Sequence, residues 1–119
     1  MLPSMSRASI WTLTWILAAP GLAAQHATPA VYSGEYFYNF ESSSFTPDGA
    51  RNCWVVKGGI RQAEIAPKDG SSPWGSAHVI VRGILSAPGH YGNLGACTRV
   101  LVVVEVLKIT DMKTRDGAR

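Results

Sequence analysis

The run Arg99-Val100-Leu101-Val102-Val103-Val104-Glu105-Val106-Leu107-Lys108-Ile109 is the feature that most restricts how this chain can fold. Side chains branched at Cβ lose rotamer freedom in a helix and pack well on a pleated surface, so residues 98–110 read as one long strand. A strand this apolar is a hazard at an open sheet edge, where its free N–H and C=O groups would recruit other chains. Closing the sheet into a barrel removes such an edge.

Four further strands are expected upstream. Residues 31–41 alternate with a period of two: Tyr36, Tyr38 and Phe40 fall on one face, and Phe37 shares the other with Glu35, Asn39 and Glu41. Cys53-Trp54-Val55-Val56-Lys57 reads as the second strand. Gly58-Gly59, able to take the positive φ of a tight hairpin, would return the chain as a weaker third strand over Ile60–Ile65. His78–Leu85 is the fourth, with Val79, Val81 and Gly83 facing one way and His78, Ile80, Arg82 and Ile84 the other. Between these runs, residues 42–49 read as a turn whose Phe45 plugs the core, and residues 66–76 as a loop anchored by Trp74. A glycine-rich loop over residues 86–96 then leads to the final strand. No stretch sustains a helical period. The expected fold is all-β: a small five-stranded antiparallel OB-like barrel, with a two-sheet β-sandwich as the alternative. The helix that an OB barrel usually carries between its third and fourth strands would have to be replaced by the loop at 66–76.

The N-terminus is built differently. Arg7 is the only charged side chain before Glu35, and it precedes the apolar run Ile10–Ala19. Pro20 and Gly21 break that run, and the small residues of Leu22-Ala23-Ala24 suit a signal peptidase. The run is shorter than the roughly 20 residues that span a bilayer, so cleavage after Ala24 is expected rather than an anchor. The resulting organisation is a leader over 1–24, a flexible tail over 25–30, one barrel domain over 31–110 and a charged flexible tail over 111–119. About 95 residues suffice for one core and no second one.

Two cysteines, Cys53 and Cys97, both lie in the exported part, and an even count in an oxidising compartment is the pattern of a disulfide. The expected location is periplasmic or secreted. The formal charge is +3 for the whole chain. Without Arg7, ten Lys and Arg stand against eight Asp and Glu. Arg51, Lys57, Arg61, Lys68, Arg82, Arg99 and Lys108 are interleaved with acids rather than clustered, which argues against nucleic acid as a partner.

Chemistry is sparse. No Gly-x-Ser-x-Gly elbow is present, and His26, His78, His90, Cys53 and Cys97 show none of the short paired spacings of a metal site, so no catalytic residue, metal or cofactor is assigned. The glycine loop matches no phosphate-binding pattern and precedes a strand rather than a helix. Its glycines serve a tight turn, while His90, Tyr91 and Asn93 could form the rim of a recognition surface, because loops on a rigid scaffold are where binding groups sit. On the first strand, Tyr36 and Tyr38 are the residues chosen for an outward aromatic platform.

The stretches Gly34-Glu35-Tyr36-Phe37-Tyr38-Asn39-Phe40-Glu41-Ser42-Ser43-Ser44-Phe45-Thr46-Pro47, Val81-Arg82-Gly83-Ile84-Leu85-Ser86 and Gly89-His90-Tyr91-Gly92-Asn93-Leu94-Gly95 resemble small exported bacterial proteins of uncharacterised function. The resemblance spans roughly Tyr32 to Ile109 and implies a compact β-barrel in the cell envelope, with no active site attached. The function expected is a non-catalytic exported binding or accessory protein whose partner is an envelope protein, a peptide or a glycan. The alternatives are a small secreted hydrolase or enzyme inhibitor using the 86–96 loop, for which His90 would have to meet a carboxylate and a hydroxyl, and a structural envelope component.

Overall fold

The computed structural model describes residues 27–115. The expected leader, residues 1–24, and the start of the expected N-terminal tail lie outside the described residues, as do the last four. Five strands, β1 (Ala30–Tyr38), β2 (Ser43–Pro47), β3 (Trp54–Gly58), β4 (Gly75–Leu85) and β5 (Arg99–Thr114), close into a ring in the order β1-β2-β3-β5-β4. The fold is thus the all-β, OB-like barrel, and not the sandwich. It is not wholly antiparallel. β3 runs parallel to β5, from Trp54 opposite Arg99 to Gly58 opposite Val103. The other four pairings are antiparallel. A closed ring with an odd number of strands cannot alternate direction all the way round, so one parallel pair is a condition of closure.

The five strands are not the five expected. Residues 42–49 do not form one turn: Ser43–Pro47 is β2, drawn into the ladder because Phe45, fully buried, packs inward opposite Tyr36. The real turn is Asn39–Ser42. There the Asn39 side-chain oxygen accepts the N–H groups of Glu41 at 2.8 Å and Ser42 at 2.9 Å, a side chain standing in for a backbone turn. Conversely, Ile60–Ile65 is not a strand. Arg61–Ala63 forms a 3-10 turn, in which Ile60 and Ala63, three positions apart, both point into the end of the barrel. Gly58 makes no hairpin. Its φ is 100°, and a Cβ there would stand 2.6 Å from the Val103 carbonyl oxygen, so glycine lets β3 close against β5.

The interior is lined by Tyr36 and Tyr38 from β1, Phe45 from β2, Val79 and Val81 from β4 and Leu101 from β5. The alternation read for β4 is the one observed. Gly34 faces inward with them, and a Cβ there would stand 2.3 Å from the Thr46 carbonyl oxygen and 2.8 Å from the Phe45 ring.

β5 runs to Thr114, four residues past its expected end and into what was expected to be tail. Relative to β4 it carries an extra residue between Val103 and Glu105, between Val106 and Lys108, and between Thr110 and Lys113. The last of these bulges holds Asp111 at a φ of 54°. Closure does not remove the whole edge of this strand: among the described residues β3 covers it only as far as Val103, and from Val104 onward β4 is its sole ladder partner. The bulges curl that stretch, which is one of the ways edges are kept from pairing with other chains.

Cys53 and Cys97 are bonded, with Cα atoms 4.7 Å apart, immediately before β3 and just before β5. The Thr98 N–H donates to the Cys53 carbonyl oxygen at 2.9 Å, so the bridge and a backbone bond secure the start of the parallel pair together. A chain-entropy argument for a loop of this length gives about 4 kcal/mol, an upper value in practice. A Cys53→Ser, Cys97→Ser double variant is expected to lose about 2–4 kcal/mol of unfolding free energy in urea denaturation.

Candidate recognition surface

The two tyrosines chosen for an outward platform are inside. Tyr36 and Tyr38 are 3% and 2% exposed and stack with ring centroids 5.4 Å apart. Each spends its hydroxyl on the segment that crosses the barrel end. Tyr36 donates to the Glu64 carboxylate at 2.6 Å, and Tyr38 accepts the Ile65 N–H at 2.9 Å. The face that looks outward is the one carrying Glu35 and Phe37. The charge on Glu35 was the available signal, since a carboxylate without a partner belongs in water.

Burial, and then the hydrogen bond to the Glu64 carboxylate, raise the Tyr36 hydroxyl pKa well above that of an ordinary tyrosine. The folded state therefore keeps a proton that the unfolded chain releases near pH 10. The stability this represents is fully present below about pH 10 and declines as pH rises above it. Urea midpoints measured from pH 8 to 11 should fall at the alkaline end, and Tyr36→Phe should flatten that part of the fall.

The other three chosen residues do lie together, at the far end of the barrel from Tyr38. Tyr38 is level with Gly75, the first residue of β4, whereas the 86–96 loop leaves its last, Leu85, roughly 30 Å further along the strand. The loop is a continuation of the β4–β5 hairpin rather than a slack connection. Gly89 N–H donates to the Thr98 carbonyl oxygen at 2.9 Å, and Tyr91 and Cys97 exchange backbone bonds of 2.8 and 3.0 Å. The Tyr91 hydroxyl bonds back to the Ala87 carbonyl oxygen at 3.0 Å, so this side chain braces the loop. His90 and Asn93 are exposed at the tip. Beside them stands Leu94, which composition gave no reason to single out. It is fully exposed and sits at φ 58°, ψ 19°, inside a 3-10 turn over Asn93–Gly95.

Among the described residues no hydrogen bond joins His90 to a carboxylate or a hydroxyl, but another histidine makes both contacts. His78 Nε2 lies 3.0 and 3.1 Å from the two carboxylate oxygens of Asp48, and the Ser33 hydroxyl donates to Asp48 at 2.6 Å while lying 3.4 Å from the same Nε2. The Ser33 hydrogen bond, and then that of His78, lower the Asp48 pKa. These are the residue types of a hydrolytic triad in a different arrangement. A triad carboxylate holds Nδ1 and leaves Nε2 to take the serine proton. Here the carboxylate occupies Nε2 and also receives the serine's hydrogen, so the Ser33 proton is directed at Asp48 rather than at the imidazole. A fluorophosphonate probe is expected to leave Ser33 unlabelled by mass analysis; labelling that disappears in His78→Ala would show the opposite.

A second surface feature lies at the Tyr38 end. The turn after β1 carries Phe40, 66% exposed, and the loop before β4 carries Trp74, with ring centroids 6.4 Å apart and planes at 55°. The Arg115 guanidinium sits over the Trp74 ring at 4.5 Å. Together with Lys68, Asp69 and Ser71 they border an open groove of about 900 Å³. Phe40 was grouped with Tyr36 and Tyr38 by the period of two, but the chain leaves the strand at Tyr38 and the parity ends there. Among the described residues no group of His, Cys, Asp and Glu is placed to hold a metal ion.

Comparison with protein-family models, with curated proteins and with solved structures finds no match to this chain.

Proposed function

We propose that this is an exported, non-catalytic binding or accessory protein of the bacterial envelope that meets a protein partner through the tip of its 86–96 loop. The observation that carries the reading is Leu94. A bulky residue at positive φ costs about 1–2 kcal/mol relative to glycine, and here the strained residue presents its whole apolar side chain to water. Gly92 and Gly95, also at positive φ, flank it in the same turn. Strain of this kind persists where surrounding structure imposes it and clusters at contact sites. The imposing structure is the disulfide at Cys97 and the backbone bonds on either flank. A loop already held in one conformation gives up little entropy when it docks, so a small apolar tip flanked by His90 and Asn93 would act as a preformed anchor. The disulfide and the leader-like N-terminus support an oxidising compartment. Among the described residues no helix is long and apolar enough to cross a membrane.

A photo-crosslinking side chain in place of Asn93, activated in intact cells that make the full chain, is expected to give one discrete protein adduct. The same group in place of Lys113 should give none. Leu94→Gly should weaken the adduct at position 93 while raising the unfolding free energy by about 1 kcal/mol. Adducts of equal yield from both positions, or none from position 93, would remove the loop from consideration.

A further inference from the structure

We infer that the open edge of β5 is a dimerisation surface, on which the same strand of a second copy of this chain pairs antiparallel about a two-fold axis at Ile109. Among the described residues, no backbone bond reaches Val104 to Lys113 from anywhere but β4. Most side chains of this stretch are exposed. Such an edge offers its free N–H and C=O groups to another strand, and the bulges decide which strand can accept them.

β4 faces outward with Ser76, His78, Ile80 and Arg82, so their partners on β5, which are Lys113, Thr110, Lys108 and Glu105, face outward too. Val106 and Ile109, opposite Val81 and Val79, face inward. Strands joined edge to edge by a two-fold axis keep their faces, so outward residues must meet outward residues. An axis at Ile109 achieves this. It sets Lys108 opposite Thr110 of the second copy, and Glu105 opposite Lys113 of the second copy. Between Lys108 and Glu105 lie Val106 and Leu107, and between Thr110 and Lys113 lie Asp111 and Met112; each of these steps contains a bulge. The bulged steps therefore face each other with equal lengths. A regular strand laid along this edge would fall out of step at each bulge, whereas a second copy carries the same irregularities in matching places. The bulges that turn other strands away thus admit this one.

The side chains agree with the register. Glu105 and Lys113 make an opposite-charge pair on each side of the axis. Glu105 accepts from Arg82 through one carboxylate oxygen and has the other for the lysine. Lys113 makes no hydrogen bond or ion pair among the described residues. Leu107 and Met112, 41% and 39% exposed, come onto the same seam, and pairing takes both out of water.

One strand edge buries less than the roughly 1,600 Å² of a standard stable interface, so a reversible dimer with a dissociation constant of about 10–100 µM is expected. The test is sedimentation velocity of the chain, purified as the cell delivers it, over about 1–500 µM. The average mass should rise with concentration from monomer to dimer. Glu105→Lys and Lys113→Glu should each weaken the dimer about tenfold, since each sets like charges together on both sides of the axis. An equimolar mixture of the two should recover it as a heterodimer, because every pair is then opposite in charge again. Lys57→Glu, the same change of charge away from this edge, should leave the dimer as it was. Circular dichroism checks that each variant is folded, and recovery in the mixture shows it a second time. Monomer at every concentration, a dimer indifferent to both charge variants, or a mixture of folded variants that stays monomeric would each overturn the assignment. A photo-crosslinking group at position 113 removes both ion pairs and weakens the dimer, so the absence of an adduct there is expected on this account as well. The adduct at position 93 does not depend on the dimer, so failure here and failure of the loop reading are separate results.

Discussion

The parallel pairing of β3 with β5 is the constraint on which the rest of the molecule depends. β3 and β2 are each five residues long, too short to be stable as a free hairpin; β2 is laddered along β1, and β3 is held because β5 closes the ring against it. Closure demands a close approach, met by Gly58 against Val103, and a fixed starting register, met by the disulfide and the Thr98–Cys53 backbone bond. The cross-link sits where the ring shuts. The 86–96 loop takes its rigidity from the same place, since Cys97 is both its last anchor and one end of the bridge.

The opposite end is organised by the buried tyrosines. A tyrosine in a core has an apolar body and a hydroxyl that must find a partner. Tyr36 and Tyr38 find theirs in Glu64 and Ile65, on the chain that crosses from β3 to β4. With Ile60 and Ala63 plugged into the barrel, this fixes a segment that has no ladder of its own. The crossing segment then positions the 66–74 loop, and with it one wall of the aromatic groove. Two surfaces of different chemistry thus occupy the two ends of one rigid barrel, an apolar tip on a pinned hairpin and a groove walled by aromatic rings.

Much of the site chemistry was legible only in part. His90, Tyr91 and Asn93 were chosen because glycine-rich loops on β scaffolds carry binding groups, and they do share one loop tip. Tyr91 was over-read, because nothing local says that its hydroxyl reaches back to Ala87. Leu94 was missed, because exposure and φ are not properties of composition. Tyr36 and Tyr38 were chosen for an outward platform but are core, and Phe40, grouped with them on one face, lies exposed beyond the end of the strand. Ser33, Asp48 and His78 come from three separate segments, so no spacing rule could bring them together. Their arrangement also shows why residue types alone do not make a triad.

By itself, the sequence determined what depends on neighbours along the chain. The period of two in β1 and β4, the β-branched run of β5, the absence of any helical period and the even pair of cysteines were enough for an all-β, disulfide-linked, single-core protein, though the count of five agreed only because Ser43–Pro47 replaces Ile60–Ile65. Tertiary structure decided what depends on residues far apart. A period of two defines two faces of a strand but not which is inside, and that choice was made by Phe45 and the crossing segment packing against Tyr36 and Tyr38. Strand identity was settled in the same way: Ser43–Pro47 joins the ladder because β1 lies beside it, while Ile60–Ile65, lacking a partner strand, becomes a plug. The parallel pair follows from neither propensity nor pattern. It follows from the number of strands and from closure, which are properties of the ring as a whole.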